Sequence, residues 1–366
     1  MKFSVNPAPF AKAIQIVSKG IASNSTLPIL SGIKITAQPG TLEFQATDLT
    51  ISIKHNITAL VDEEGSTIVS GKLIQNIVKN LPDETVHVHL DNHLLILSCG
   101  RSLYKLNTLP AEDFPEFPEF EISSSVELPC SLVSQMVDKV YKATSKDITR
   151  ITLTGILMQV ADNTVRMIAT DSYRLAVCDS STSLDDNQQF TSIVPGNVFH
   201  EVLTLADHQQ NIFIGATDSQ IIFMFGDTTY ISRKIEGNFP NYKQLLPDTF
   251  TSKITFNVAD LSVALKRIAV IASSNPAIRL DLYPEEQVMS ISASSNEQGE
   301  AQEIIPVEIE GNAFSINLNY RYVLDCIDAV SDQKSIELEL QSPMLPGIFK
   351  SYSTINYLYL LMPVRA

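Results

Sequence analysis

Few residues in this 366-residue chain have the types and spacing that chemistry requires. The nearest approach to a metal site is His87-Val88-His89, with His93 beyond an Asp91-Asn92 turn. On a hairpin these three imidazoles could converge on one face, and imidazole nitrogen is a common zinc ligand. Polar alternation along a solvent-facing strand accounts for the same residues more simply. The four cysteines, Cys99, Cys130, Cys178 and Cys326, lie far apart without C-x-x-C spacing. That pattern points to reduced, buried thiols in a cytoplasmic protein and away from disulfides or a zinc site. The chain has no G-x-x-x-x-G-K-[ST] phosphate loop, no G-x-S-x-G nucleophile elbow and no H-E-x-x-H metal helix. Each of those motifs would place a reactive group by itself, so the expectation is a non-catalytic protein with no cofactor and no bound metal. Two rivals remain in view: a metal-dependent enzyme built on the histidines, and a β-rich interaction protein without a nucleic-acid role.

What does recur is cationic side chains on helical segments. The net charge is −15, which taken alone argues for solubility and against a phosphate-bearing partner. Six segments, 7–20, 70–80, 129–146, 195–208, 258–273 and 317–330, suit helices. They hold ten basic residues (Lys12, Lys19, Lys72, Lys79, Lys139, Lys142, Lys146, Lys266, Arg267, Arg321) against six acidic ones, a net +4 that leaves −19 for the rest of the chain. A lysine on an exposed helix face is usually only solvated. If all six helices faced one side, however, one surface would be positive and the opposite one strongly negative.

The elements that would position these charges follow a repeat. Ala-Thr-Asp occurs at Ala46–Asp48 and Ala169–Asp171, and Leu30-Ser31-Gly32-Ile33 matches Leu153-Thr154-Gly155-Ile156 at the same offset of 123. Ile68-Val69 then aligns with Ile193-Val194, Tyr104 with Tyr230, and Phe114-Pro115 with Phe239-Pro240, in the same order. A fainter third copy starts at Phe256-Asn257-Val258 and places Ala277-Ile278-Arg279-Leu280 where the others have Leu-x-Gly-Ile. Apolar spacing predicts one helix through Phe10, Ala13, Ile14 and Val17, and its third-copy equivalent through Leu261, Leu265 and Ile268. A second helix is predicted through Leu73, Ile74, Ile77 and Val78, with a counterpart through Tyr320, Val323, Leu324 and Ile327. The intervening segments alternate as strands do. The expected fold is α+β: three tandem domains, each of two helices on antiparallel sheet, spanning 1–121, 126–248 and 250–366. No run approaches the roughly 18 apolar residues of a membrane span, and MKFSVNPAPF has no signal-peptide pattern.

MKF at the start, TLPILSGI at 26–33, ATDSYRLAV at 169–177, NFPNYKQLLP at 238–247 and the closing LLMPVRA resemble the bacterial DNA polymerase III beta subunit family of sliding clamps, end to end and in order. The resemblance implies a head-to-tail homodimer forming a ring that encircles duplex DNA and gives the replicative polymerase its processivity. Twelve helices, each about 10 Å wide, would line a hole about 40 Å across through their axes, wide enough for hydrated duplex. It implies sequence-independent DNA contacts from Lys12, Lys72, Lys139, Lys142, Lys146, Arg150 and Lys266. Asn24 stands where some relatives carry Arg. It implies a subunit interface between Arg101, Tyr104 and Lys105 on one side and Ile271, Glu297, Glu300 and Glu303 on the other. It further implies a cleft capturing short peptides of the polymerase III alpha subunit, the clamp loader, other polymerases and repair proteins. Carried over by motif, that cleft comprises Leu153, Thr170, Ser172, Tyr173, Arg174, Leu175, Pro240, Leu245, Met344, Pro346, Leu360, Met362, Pro363, Val364 and Arg365, with Arg174 and Arg365 expected to meet polar peptide groups. Ser172-Tyr173 and Gln244 differ from residues common in the family, which implies a distinct peptide preference.

Overall fold

The computed structural model describes residues 1–22, 26–182, 189–247, 249–273 and 275–364. Among them are six α-helices: α1 (Pro7–Val17), α2 (Gly71–Val78), α3 (Cys130–Tyr141), α4 (Gly196–Leu205), α5 (Val258–Ile271) and α6 (Tyr320–Ala329). Local chemistry sets their starts. Pro7, whose missing N–H costs nothing in a first turn, opens α1 after Asn6. The side chains of Asn257 and Asn319 accept from the amides of Ala259 and Asp260, and of Arg321, capping α5 and α6. α3 stops short of the expected 146. The amides of Ala143 and Thr144 turn back to the carbonyls of Val140 and Tyr141, so Lys142 and Lys146 lie beyond the helix.

The periodic residues of α1 and α5 are buried as expected. In α2, Ile74 and Val78 are buried but Leu73 is 54% exposed. A two-turn helix buries only a narrow stripe, here Gly71, Ile74 and Val78, and Leu73 stands about 100° around the axis from Ile74.

The described residues divide into two compact units. Met1–Ser131 with Glu201–Lys234 forms one thirteen-stranded antiparallel sheet, in which strand Ile51–Thr58 pairs with Thr228–Arg233. Leu132–His200 with Ile235–Ala366 holds a nine-stranded sheet, in which Arg174–Ser181 pairs with Asn356–Leu361, and a four-stranded sheet ending on Gly299–Pro306. Ile51 and Arg174 are equivalent by the offset of 123, so both large sheets are joined through the same strand of the repeat.

Register explains the repeated motifs. Ile33 lies opposite Val69, Ile156 opposite Val194, and Ile278 opposite Leu318, so all three copies share one pairing, with Ile278 and not the expected Leu280 in the isoleucine's place in the third. A Cβ on Gly155 would lie 2.6 Å from Cγ2 of Ile193, and one on Gly32 would strike Ile68 in the same way. The glycine of Leu-x-Gly-Ile and the isoleucine of the matching Ile-Val are thus a contacting pair, which is why both recur.

Candidate functional site

The Ala-Thr-Asp triplets build one hairpin turn twice. Thr47 Oγ1 donates to Ile51 O at 2.8 Å, and Asp48 Oδ1 accepts from the amides of Thr50 and Ile51 at 2.8 and 2.6 Å. Thr170 Oγ1 likewise donates to Arg174 O at 2.7 Å, and Asp171 Oδ1 accepts from the amides of Tyr173 and Arg174 at 3.0 and 3.1 Å. The residue between, Leu49 or Ser172, is forced to positive φ of 72° or 78°. This side-chain clamp holds a backbone that L-residues adopt reluctantly.

What lies beneath the two turns differs. Leu157, Ile168, Leu175, Val177, Ile348 and Leu360 are cross-strand neighbours on one sheet face and form an apolar cluster with Ile193, Ile235 and Tyr242. Phe239, Leu246 and Phe250 pack against it. In the first repeat Gln45 and Ser52 stand where Ile168 and Leu175 stand in the second, so only the second turn overlooks an apolar floor.

Of the cleft residues expected from sequence, Leu175 and Leu360 belong to that floor, and Leu153 and Thr170 are buried. Large apolar side chains remain solvent-facing: Tyr173 at 61%, Leu245 at 52%, Met344 at 70% and Met362 at 40% exposed. Pro240 is exposed; Pro346, Pro363 and Val364 are half-buried. The closing segment is tied down at two points, the Met362 amide donating to Tyr173 O and the Val364 amide to Asn317 O, both at 2.9 Å. Arg365 and Asn24 lie outside the described residues.

Arg174 departs from its expected role. It is 7% exposed and points away from the floor, because Leu175 takes the cluster face. Its guanidinium meets Asp171 Oδ2 at 3.0 Å, Asp325 Oδ2 at 2.5 Å, the Tyr359 hydroxyl at 3.2 Å and the carbonyl of Lys142, and stacks 4.2 Å from the Tyr322 ring. Burial alone would lower its pKa; the Tyr359 oxygen and the two aspartates outweigh burial and raise it. Arg174 therefore holds the turn in place, its donors engaged within the chain. Arg150 braces the turn from outside, donating to Ser172 Oγ at 2.9 Å, Ser145 Oγ at 3.3 Å and Asp147 Oδ2 at 3.2 Å.

The expected DNA contacts fall into two groups. Lys12, Lys72, Lys146 and Lys266 are exposed. Lys139 is a correction: it is 8% exposed, donates to Ala329 O at 2.6 Å and pairs with Asp332 at 3.6 Å, satisfying the open carbonyl end of α6. Lys142 is half-exposed but already paired to Asp328 at 2.9 Å and Asp325 at 3.4 Å, and Arg150 is engaged as described.

The residues expected at the subunit interface also sort themselves. On strand Ser102–Leu109, Arg101 and Lys105 are exposed, whereas Tyr104 is half-buried on the opposite face; sequence reasoning missed Leu103, 61% exposed beside Lys105. Strict alternation from buried Leu106 would have found it. Glu297 and Glu300 are exposed and Ile271 is half-buried. Both Glu303 oxygens are taken by Arg267 at 2.6 and 2.7 Å, because Glu303 points to the helix side of its strand. The side-chain bonds from Arg267 hold the Glu303 carboxyl below its usual pKa. His87 bonds Ser4 Oγ at 2.8 Å, and among the described residues no three His, Cys, Asp or Glu side chains are grouped to hold a metal. The four cysteines are buried free thiols.

Residues 1–118, 127–241 and 243–365 match the N-terminal, central and C-terminal domains of the DNA polymerase III beta subunit. The chain belongs to that family. It is 28% identical to the beta sliding clamp of Bacillus subtilis across the full length of both chains, and 29% identical to that of Synechococcus elongatus over 96% of each. The solved sliding clamp of B. subtilis superposes with a TM-score of 0.93 at 28% identity, covering 100% of this chain and 99% of that one. The beta subunit of Thermotoga maritima gives 0.91 at 28% identity, with the same coverage. A Pseudomonas aeruginosa clamp bound to griselimycin gives 0.93 at 26%, covering all of both chains. The architecture is thus the three-domain clamp fold, and the function is that of a DNA sliding clamp. Among the described residues, no helix is long and apolar enough to cross a membrane.

Proposed function

We propose that two copies of the chain close head to tail into a ring around duplex DNA and tether the replicative polymerase, acting without catalysis in the cytoplasm. The observation that carries this reading is a pair of open strand edges of opposite charge. Strand Ser102–Leu109 meets its neighbour Gly65–Ser70 only at Thr108 and Leu109, so among the described residues its 102–107 portion has one free edge. Gly299–Pro306 is the outermost strand of its sheet. The first edge carries Arg101, Lys105 and the exposed Leu103; the second carries Glu297, Glu300 and Ile304, 61% exposed. Antiparallel addition of one edge to the other across two copies would satisfy both rows of backbone groups, and a heterologous contact repeated twice closes if its rotation is about 180°. Domain limits at 1–121, 126–248 and 250–366 give six similar domains in such a ring.

A threaded ring stays on DNA by topology, so weak, sequence-blind phosphate contacts from Lys12, Lys72, Lys146 and Lys266 suffice and permit sliding. Short apolar segments of the polymerase III alpha subunit, the clamp loader, other polymerases and repair proteins would lie on the floor beneath Tyr173, with Leu245, Met344 and Met362 at its rim. A primer-extension assay with loader and alpha subunit tests the whole: long products are expected on circular template and lost on a linear one with open ends. Equal retention on both would refute topological linkage. Deleting Met362–Ala366 should abolish alpha-subunit binding while leaving dimers by sedimentation; unchanged affinity would refute the cleft.

A further inference from the structure

One carboxylate joins Lys142, expected at DNA from the family resemblance, to the turn above the proposed cleft. Asp325, on α6, accepts from Arg174 Nη1 at 2.5 Å and lies 3.4 Å from Nζ of Lys142. Arg174 in turn donates to the main-chain oxygen of Lys142, so Lys142, Asp325 and Arg174 form a closed ring of contacts. Arg174 ends the turn that presents Ser172 and Tyr173, and it grips that turn through Asp171. Lys142 is the half-exposed member, and it has a second partner in Asp328. Arg150 repeats the linkage outside, bonding both Ser145, just after Lys142, and Ser172 of the turn.

We propose that Asp325 is a positioning residue that couples phosphate contact at Lys142 to the geometry of the partner cleft. The inference rests on the DNA contact that the family resemblance implies for Lys142 and on the cleft proposed above. A DNA phosphate competes with Asp325 for the Lys142 ammonium. When it draws that charge away, Asp325 has only Arg174 to neutralise it, and their attraction is no longer shared. The guanidinium of Arg174 is then fixed more firmly, and with it the end of the turn that Arg174 forms, and a better-ordered turn loses less freedom on receiving a ligand. DNA occupancy thereby tightens the cleft, and by linkage a cleft ligand tightens the hold on DNA.

The test titrates fluorescently labelled griselimycin into the full-length chain, with and without saturating short duplex. Wild type should bind about two- to fivefold tighter with duplex present, the lower part of the range of couplings carried through packed polar networks. Asp325→Asn should abolish that difference. Lys142→Gln, at a half-exposed site that leaves folding intact, should abolish it too, while Asp328→Asn should retain it because Asp325 still joins the two sites. A difference that survives in Lys142→Gln, or is absent from wild type, overturns the coupling. Binding unaffected by deleting Met362–Ala366 would instead overturn the cleft assignment and the coupling with it. Deletion-sensitive binding with a flat response to duplex overturns the coupling alone.

Discussion

Replacing Arg174 by methionine keeps most of the side-chain volume and removes the charge, so it isolates what the guanidinium contributes. The loss leaves two aspartates facing each other across a buried gap, their side chains only 12% and 28% exposed. Removing one partner of a buried ion pair costs about 3–5 kcal/mol, because the remaining charge is stranded. Here the strandedness is incomplete: Asp171 keeps the amides of Tyr173 and Arg174, and Asp325 keeps Lys142 at 3.4 Å. The low end, about 3 kcal/mol, is therefore expected. For a unit of about 150–250 residues each kcal/mol shifts the melting point by about 2–4 °C, giving a fall of about 6–12 °C by scanning calorimetry. Arg150→Met is the control. Arg150 is 39% exposed and its bonds compete with water, so its removal should cost under about 1 kcal/mol. Equal effects of the two substitutions, or an Arg174→Met protein melting within about 2 °C of wild type, would refute the assignment of Arg174 as the structural anchor of the turn.

Three further outcomes follow from the same structure. His55, opposite Thr228 and bonded to its hydroxyl at 2.8 Å, has its pKa lowered mainly by burial and also by Lys12, against the pull of Asp227. The unfolded chain therefore takes up the proton first, so stability in urea should fall as pH drops below the ordinary histidine value of 6.5 and level off once the folded form is protonated; His55→Gln should remove that slope. Changing Lys12, Lys72 and Lys266 together to Gln should flatten the dependence of log K on log salt for duplex by about 0.9 for each lysine–phosphate pair removed, measured by anisotropy. Arg101→Glu with Lys105→Glu should shift sedimentation toward monomer at low concentration, and Glu297→Lys with Glu300→Lys should restore the dimer; an unchanged dimer in the first variant places the interface elsewhere.

The fold was legible where a motif encoded a contact that recurs. Leu-x-Gly-Ile and Ile-Val were repeated because Gly155 abuts Ile193, and Ala-Thr-Asp because its Thr and Asp hold a positive-φ turn. The helices were legible from periodicity, apart from Leu73, which a short helix leaves outside its buried stripe, and the end of α3, which stops at Tyr141 and leaves Lys142 and Lys146 beyond it. The charged site residues were the illegible part. Lys139, Arg174 and Glu303 look available in sequence, but apart from Asp171 beside Arg174 the carboxylates, carbonyls and cations that engage them lie more than thirty residues away. Sequence spacing says which residues are near along one element; it does not say which opposite charge another element brings.

That distinction bears on how an acidic chain can hold DNA at all. A lysine already paired with carboxylates, as Lys142 is with Asp325 and Asp328, must give up that pairing to meet a phosphate and contributes only the difference. Lys12, Lys72, Lys146 and Lys266 face solvent and trade only water and counterions, so they supply the sequence-blind attraction directly. Salt should accordingly weaken the two classes differently: contacts from the exposed lysines fall with counterion release alone. At Lys142, salt screens the aspartate pair as well as the phosphate, so its contribution should depend less steeply on ionic strength. Comparing Lys12→Gln with Lys142→Gln across a salt series distinguishes them, and identical slopes would mean that the aspartates do not hold Lys142 in solution.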